Sequence, residues 1–149
     1  MFTRSGLHAI RAMTVLARLE GGAYGGTHHI ASSGSIPPSY VSKVLQALVR
    51  AGLVESHKGP GGGFRLARPA ERITLWETVA PFDGLSQRGG CVLGLSECSE
   101  KHPCALHDDW KDIRGKYLET MRRTTLAELN ASSTNSPIRD FLTMRVGAE

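Results

Sequence analysis

No stretch of this sequence approaches the ~20 consecutive apolar residues that cross a bilayer. The first apolar stretch is broken by Arg4, Arg11 and Arg18 and has no signal-peptide pattern. The chain therefore reads as cytoplasmic, with no membrane partner. Cysteine is scarce: there are three in 149 residues, all between positions 91 and 104. An odd number of thiols in a reducing compartment excludes a disulfide scaffold. Nucleotide-binding loops are missing as well. No Gly-x-x-x-x-Gly-Lys-Ser/Thr string occurs. A Gly-x-Gly-x-x-Gly fingerprint started at Gly59 or Gly61 would need glycine where Phe64 or Leu66 stands. Acidic residues are thin in the first half, where nine Lys and Arg in residues 1–72 face only Glu20, Glu55 and Glu71, a net charge of +6. Residues 73–149 carry nine bases against eleven acids, net −2. The first half faces an anion and the second does not.

What is present in the first half has the shape of a DNA-binding module. Residues 5–20 are apolar nearly all round, apart from a stripe carrying Arg4, Arg11 and Arg18 at intervals of seven, which predicts a buried helix with a basic edge. After a loop at 21–26, Thr27 can cap a short helix that stops at Gly34. In the next segment Val41, Val44, Leu45, Leu48 and Val49 follow helical spacing, with Pro38 suited to the first turn and Gly52 to the stop. The string HKGPGGGFRLAR at 57–68 lies between two short alternating runs and reads as a β-hairpin whose glycines supply positive φ. Three helices followed by a basic hairpin make a winged helix-turn-helix. Ser39, Tyr40, Ser42, Lys43 and Gln46 fall off the apolar stripe near the start of the third helix, where such a motif meets base edges in the major groove. Lys58, Arg65 and Arg68 in the wing, with Arg4, are candidates for phosphate contact. Thr27, His28 and Gly61 complete the candidate DNA-binding residues.

The second half carries the chemistry. Thr74 and Glu77 form a capping box that opens the helix LWETVAPF. Cys91, Cys98 and Cys104 are separated by six and five residues, in a Gly- and Ser-rich segment that offers little core to bury them in. His107 follows Cys104 in C-A-L-H. A Cys/His enzyme would need a shaped pocket and a third orienting group, and no such signature is present. Three thiolates with one imidazole suit either an iron–sulfur cluster or zinc, and spacing does not separate the two. Further on, Leu106, Trp110, Ile113, Tyr117 and Met121 step by four, three, four and four along a helix that is polar elsewhere. Such a narrow seam suits a partner helix, although it can also pack on its own domain. TLAEL then reads as a short capped helix, and NASSTNSP as a linker before IRDFLTM.

The strings KGPGGGFRLAR, ITLWETV, C-x6-C-x5-C, C-A-L-H-D-D-W and TTLAEL resemble the bacterial winged-helix regulators that include IscR, NsrR, RirA and CymR. The likeness runs from about residue 3 to residue 130. It implies a homodimer on a palindromic operator, with an iron–sulfur cluster that controls DNA binding. Cys91, Cys98 and Cys104 match the cluster cysteines of that family, and His107 matches the histidine ligand of IscR. The expected cofactor is a 2Fe–2S cluster ahead of a 4Fe–4S one, with zinc as the alternative. Leu7 and His8 stand where some relatives place an aspartate ligand, and Ser42 stands where IscR carries Glu. The expected fold is mainly α with a small β-hairpin. It divides into a winged helix-turn-helix (1–72), a linking helix and cysteine loop (73–104), a dimerisation helix (105–130) and a tail (131–149). The expected function is a transcription regulator, not an enzyme.

Overall fold

The computed structural model describes residues 2–83 and 90–135, with side chains as far as Ala131. Its elements are α1 (Arg4–Ala17), α2 (Thr27–Ser33), α3 (Pro38–Arg50), β1 (Val54–His57), β2 (Gly63–Leu66), a 3-10 turn (Ala70–Arg72), α4 (Leu75–Val79), α5 (His107–Arg123) and α6 (Leu126–Asn135). The architecture is mainly α with one antiparallel hairpin, as the sequence predicts. No helix among the described residues is long and apolar enough to cross a membrane.

Apolar spacing decides the core. Ala9, Ala12, Met13 and Leu16 of α1 meet Ile30 of α2 and Val41, Val44, Leu45 and Leu48 of α3, with Leu53 and Val54 closing the hairpin side. Pro38 stands at the start of α3 and Gly52 (φ 75°) lies one residue past its C-cap, the asymmetry expected from Pro and Gly at helix ends. In the hairpin Val54 pairs with Leu66, Glu55 with Arg65, Ser56 with Phe64 and His57 with Gly63.

Four local expectations change. Thr27 is the first residue of α2 and not its cap; Gly26 holds the cap position without a side-chain bond. The reason is tertiary: Gly25 exchanges backbone hydrogen bonds with Phe64 (2.7 and 2.9 Å), which holds the chain extended up to Gly26. The arginine stripe of α1 is only in part a basic edge, since Arg4 and Arg18 are exposed but Arg11 is not. Arg11 is 1% exposed and its Nη1 donates to the Gly34 carbonyl (3.1 Å), while Arg18 Nε donates to Asn130 Oδ1 (3.4 Å). Two of the three arginines thus tie elements together. The helix read over LWETVAPF covers only Leu75–Val79, because Pro81 has no N–H with which to continue it. Finally, part of the stretch read as a linker is helix, since α6 runs on to Asn135. Apolar periodicity ends at Leu129, but a helix once nucleated propagates through polar residues. The stretch IRDFLTM lies outside the described residues.

Backbone hydrogen bonds staple the second half to the first around Ile73 and Leu126. The predicted capping box at Thr74 and Glu77 is complete. A second, at Thr125 and Glu128, opens α6 (Thr125 N to Glu128 Oε2 2.7 Å, Glu128 N to Thr125 Oγ1 3.2 Å). Between them Leu75 N donates to Thr124 O (2.9 Å) and Leu126 N to Ile73 O (2.8 Å), and Ile73 and Leu126 are both fully buried. The end of α5 is therefore anchored in the core of the winged module.

Candidate DNA-binding surface and cysteine loop

The outer face of α3 is open. Ser39, Tyr40, Ser42, Lys43 and Gln46 are all exposed, as are Thr27 and His28 at the start of α2 and Arg4 at the start of α1. The apolar half of α3 is buried, so this polar face is the one the helix presents outward. His8 is only 3% exposed and lies beneath Tyr40, with ring centroids 5.6 Å apart. Its pKa is lowered by burial, with Arg11 and Arg4 adding to the effect.

The wing divides into a fixed root and an open tip. A Cβ on Gly62 would stand 2.2 Å from the His57 carbonyl oxygen, and one on Gly63 would stand 2.4 Å from that of Gly25. These two glycines are needed by the protein's own packing. Gly61 at the tip has open space around it, and Lys58 beside it is exposed. Arg65, grouped with Lys58 from sequence, is committed elsewhere. Its Nε donates to Glu55 Oε2 at 2.9 Å, its Nη1 donates to Gly22 O at 3.4 Å, and its guanidinium stacks 4.6 Å from the Tyr24 ring centre. The bond to Glu55 raises its pKa. Arg68 likewise donates to Glu77 Oε1 (2.9 Å) and Arg72 O (3.2 Å). Tyr24 and Glu55 emerge as partners that no motif announced; only the cross-strand register pairs Glu55 with Arg65.

In the cysteine loop the structure joins part of the expected ligand set. Cys98 Sγ lies 3.4 Å from Nδ1 of His107, the first residue of α5, and His107 is 5% exposed. Its Nε2 has no hydrogen bond and stands 3.6 Å from Glu100 Oε2, while Glu100 itself pairs with Lys111. Cys91 and Cys104 are half-buried free thiols. Among the described residues no three His, Cys, Asp or Glu side chains converge as a metal site would require. Glu100 had no sequence signal; it is found only because the loop folds back on α5.

The seam of α5 is divided between its own chain and the outside. Leu106 and Ile113 are exposed, at 46% and 58%. Trp110 donates through Nε1 to the Gly90 carbonyl, closing the loop onto the helix. Tyr117 donates to the buried Asp83 (3.4 Å), and burial, with the Asp83 charge second, pushes its pKa up to about 12. Met121 is buried within the chain.

Similarity to known proteins agrees with this architecture. An HTH-type transcriptional regulator of Mycobacterium tuberculosis is 34% identical over 125 residues, covering 82% of this chain and 76% of that protein. IscR of Vibrio vulnificus is 29% identical over 138 residues, covering 93% and 82%. Among solved structures, CymR, the global cysteine regulator of B. subtilis, superposes with a TM-score of 0.72 at 24% identity, covering 88% of this chain and 96% of that one. T. potens IscR also superposes with a TM-score of 0.72, at 20% identity, covering 99% and 93%. CymR of Staphylococcus aureus in an oxidized form gives 0.69 at 25% identity, covering 87% and 95%. These are winged-helix regulators, and none is an enzyme. With residues 2–132 matching the Rrf2 model, described as an iron-dependent transcriptional regulator, the chain belongs to the Rrf2 family of DNA-binding transcriptional regulators.

Proposed function

We propose that this regulator acts as a homodimer on a palindromic operator, and that an iron–sulfur cluster held by Cys91, Cys98, Cys104 and His107 sets its operator affinity. The observation that carries the cluster reading is the contact between Cys98 Sγ and His107 Nδ1 at 3.4 Å. It puts a soft thiol against a buried imidazole whose other nitrogen makes no hydrogen bond among the described residues and faces the Glu100 carboxylate at 3.6 Å. Three thiolates and one imidazole also match cluster chemistry in donor type. When bound, the cluster would supply a centre responsive to redox state, nitric oxide or iron supply. The protein's part is to hold it where the loop meets α5, whose far end is anchored in the winged module. The exposed pair Leu106 and Ile113 supports pairing of two α5 helices, with Trp110, Tyr117 and Met121 fixing the same face from behind. Two modules one helical turn or a multiple apart would then meet two half-sites, α3 of each in the major groove.

A ligand shifts DNA affinity only by its differential affinity for two arrangements of the dimer, and a coupling of ~1–3 kcal/mol would be ordinary. Protein purified without oxygen is expected to be brown, with iron and acid-labile sulfide. Cys98→Ala should lose the colour, and His107→Ala should make it more labile. Colourless protein with stoichiometric zinc would overturn the cluster reading. The likeness to CymR, known also in an oxidized form, supports one other reading, a zinc-binding or thiol-redox regulator on the same residues. Colourless protein with stoichiometric zinc would establish its zinc form, and colourless, metal-free protein whose DNA affinity changes on thiol oxidation and returns on reduction its thiol-redox form.

A further inference from the structure

His8 sits at a junction where a polar ring has little reason to be. It is 3% exposed, and neither ring nitrogen has a hydrogen-bond partner among the described residues. A buried polar group in that state opposes folding, and an apolar side chain of similar size would fill the space without that cost. What the ring does touch is Tyr40, at a centroid distance of 5.6 Å and an interplanar angle of 43°, a tilted aromatic pair. Tyr40 lies in the first turn of α3, with its N–H donating to Pro37 O (2.9 Å), and is 40% exposed. That turn has no side-chain cap: Pro37 holds the cap position, and its ring has no atom that accepts a bond from the first-turn N–H groups. Three residues along α1, Arg11 grips the C-terminal end of α2 through Gly34 O. One face of α1 therefore touches both sides of the turn that sets α3 against α2. Burial, with the flanking Arg11 and Arg4 adding to it, lowers the His8 pKa and so favours the neutral ring, which suits a flat face packed on a phenol.

We propose that His8 is a positioning residue for sequence readout, a buried platform that fixes the Tyr40 side chain as part of the surface α3 presents to base edges. This rests on the operator reading above. It assigns a role in discrimination between sequences to a residue that cannot itself touch DNA. Loss of the platform should leave phosphate contacts intact, because Lys58 and the other exposed basic groups are not attached to it.

The test uses the full-length protein and two probes: the duplex that wild-type protein enriches from a pool with a randomised centre, and a shuffled duplex of equal length. The readout is the ratio of the two dissociation constants. Tyr40→Ala is expected to lower it by about 5- to 150-fold, the cost of one lost base-edge contact. His8→Leu, which keeps buried volume but not the flat ring, should lower it by a similar factor at a melting temperature no lower than that of wild type. His8→Phe should restore it. The His8→Leu/Tyr40→Ala double variant should lose no more than either single, and the salt dependence on the shuffled duplex should match wild type throughout. Full discrimination in a folded His8→Leu protein overturns the assignment, as does a double variant whose loss is the product of the two singles. A wild-type protein that enriches no duplex overturns the operator reading itself, and the assignment with it.

Discussion

The two halves of the chain solve the burial problem differently. In residues 2–83 the helices and hairpin enclose nearly every buried apolar side chain of the core, from Ala9 to Val79. In residues 90–131 only Met121 and Leu126 are buried apolar groups, while Val92, Leu93, Leu95, Leu106 and Ile113 are exposed. A module with its own core can leave a polar face open to a partner that comes and goes, and the outer face of α3 is open in this way. A segment that leaves five large apolar side chains in water has not finished burying its surface within one chain.

The largest expected effect tests the first side of that contrast. Leu45→Ala should cost about 2–5 kcal/mol in urea unfolding, through lost transfer energy and the cavity it leaves. Leu93→Ala, at 58% exposure, should stay within about 0.5 kcal/mol. Comparable costs for the two would erase the distinction between a closed core and an open one.

Next comes the exposed face of α5. Ile113→Asp should shift the proposed dimer to monomer in sedimentation, because an uncompensated charge in an apolar contact is costly. A fully dimeric variant would place the interface elsewhere. This residue also marks how far periodicity alone could go. Leu106, Trp110, Ile113, Tyr117 and Met121 form one seam by spacing, yet Trp110, Tyr117 and Met121 are engaged by Gly90, Asp83 and the core of the same chain. Helical spacing identifies a face; it does not say which neighbours cover which part of it.

A smaller effect sharpens the junction between the halves. Thr74→Ala and Thr125→Ala each remove a capping hydroxyl, and each should cost about 1 kcal/mol. The first box also predicts an acid dependence. Burial alone would raise the Glu77 pKa, but hydrogen bonds from the Thr74 N–H, Arg68 and the Thr74 hydroxyl outweigh it and hold it below the usual carboxylate range. A depressed folded pKa means that this stabilisation is present above the ordinary Glu pKa and is lost as pH falls through the lower folded value. Glu77→Gln should remove that part of the acid sensitivity in a thermal-melting series; an unchanged pH profile would assign it to other carboxylates.

The smallest effect separates tip from root in the wing. Lys58→Ala should reduce the slope of log affinity against log salt by about 0.9, one phosphate contact. Arg65→Ala should leave that slope near wild type, because Glu55 and Gly22 already hold the guanidinium. Equal slope changes would return Arg65 to the DNA-contact set.

Some of this protein is local physics, and there the sequence was sufficient. Turn glycines, a proline at a helix start, capping boxes at Thr74 and Thr125, and the 3.6-residue spacing of α3 act within a few residues of one another. The winged helix-turn-helix and the exposed polar face of its third helix were therefore legible before any coordinates. Tertiary structure decided whatever depends on residues far apart in the chain. Arg11 became an internal strut because Gly34 O stands beside it, 23 positions on. Arg65 was tied to Glu55 and Tyr24 while its side chain stayed partly exposed, Gly26 became a helix cap because Phe64 holds Gly25, and His8 came to lie under Tyr40. A charge or a ring has the same appearance in sequence whether it meets water or a neighbour, and only packing sets which of the two it meets.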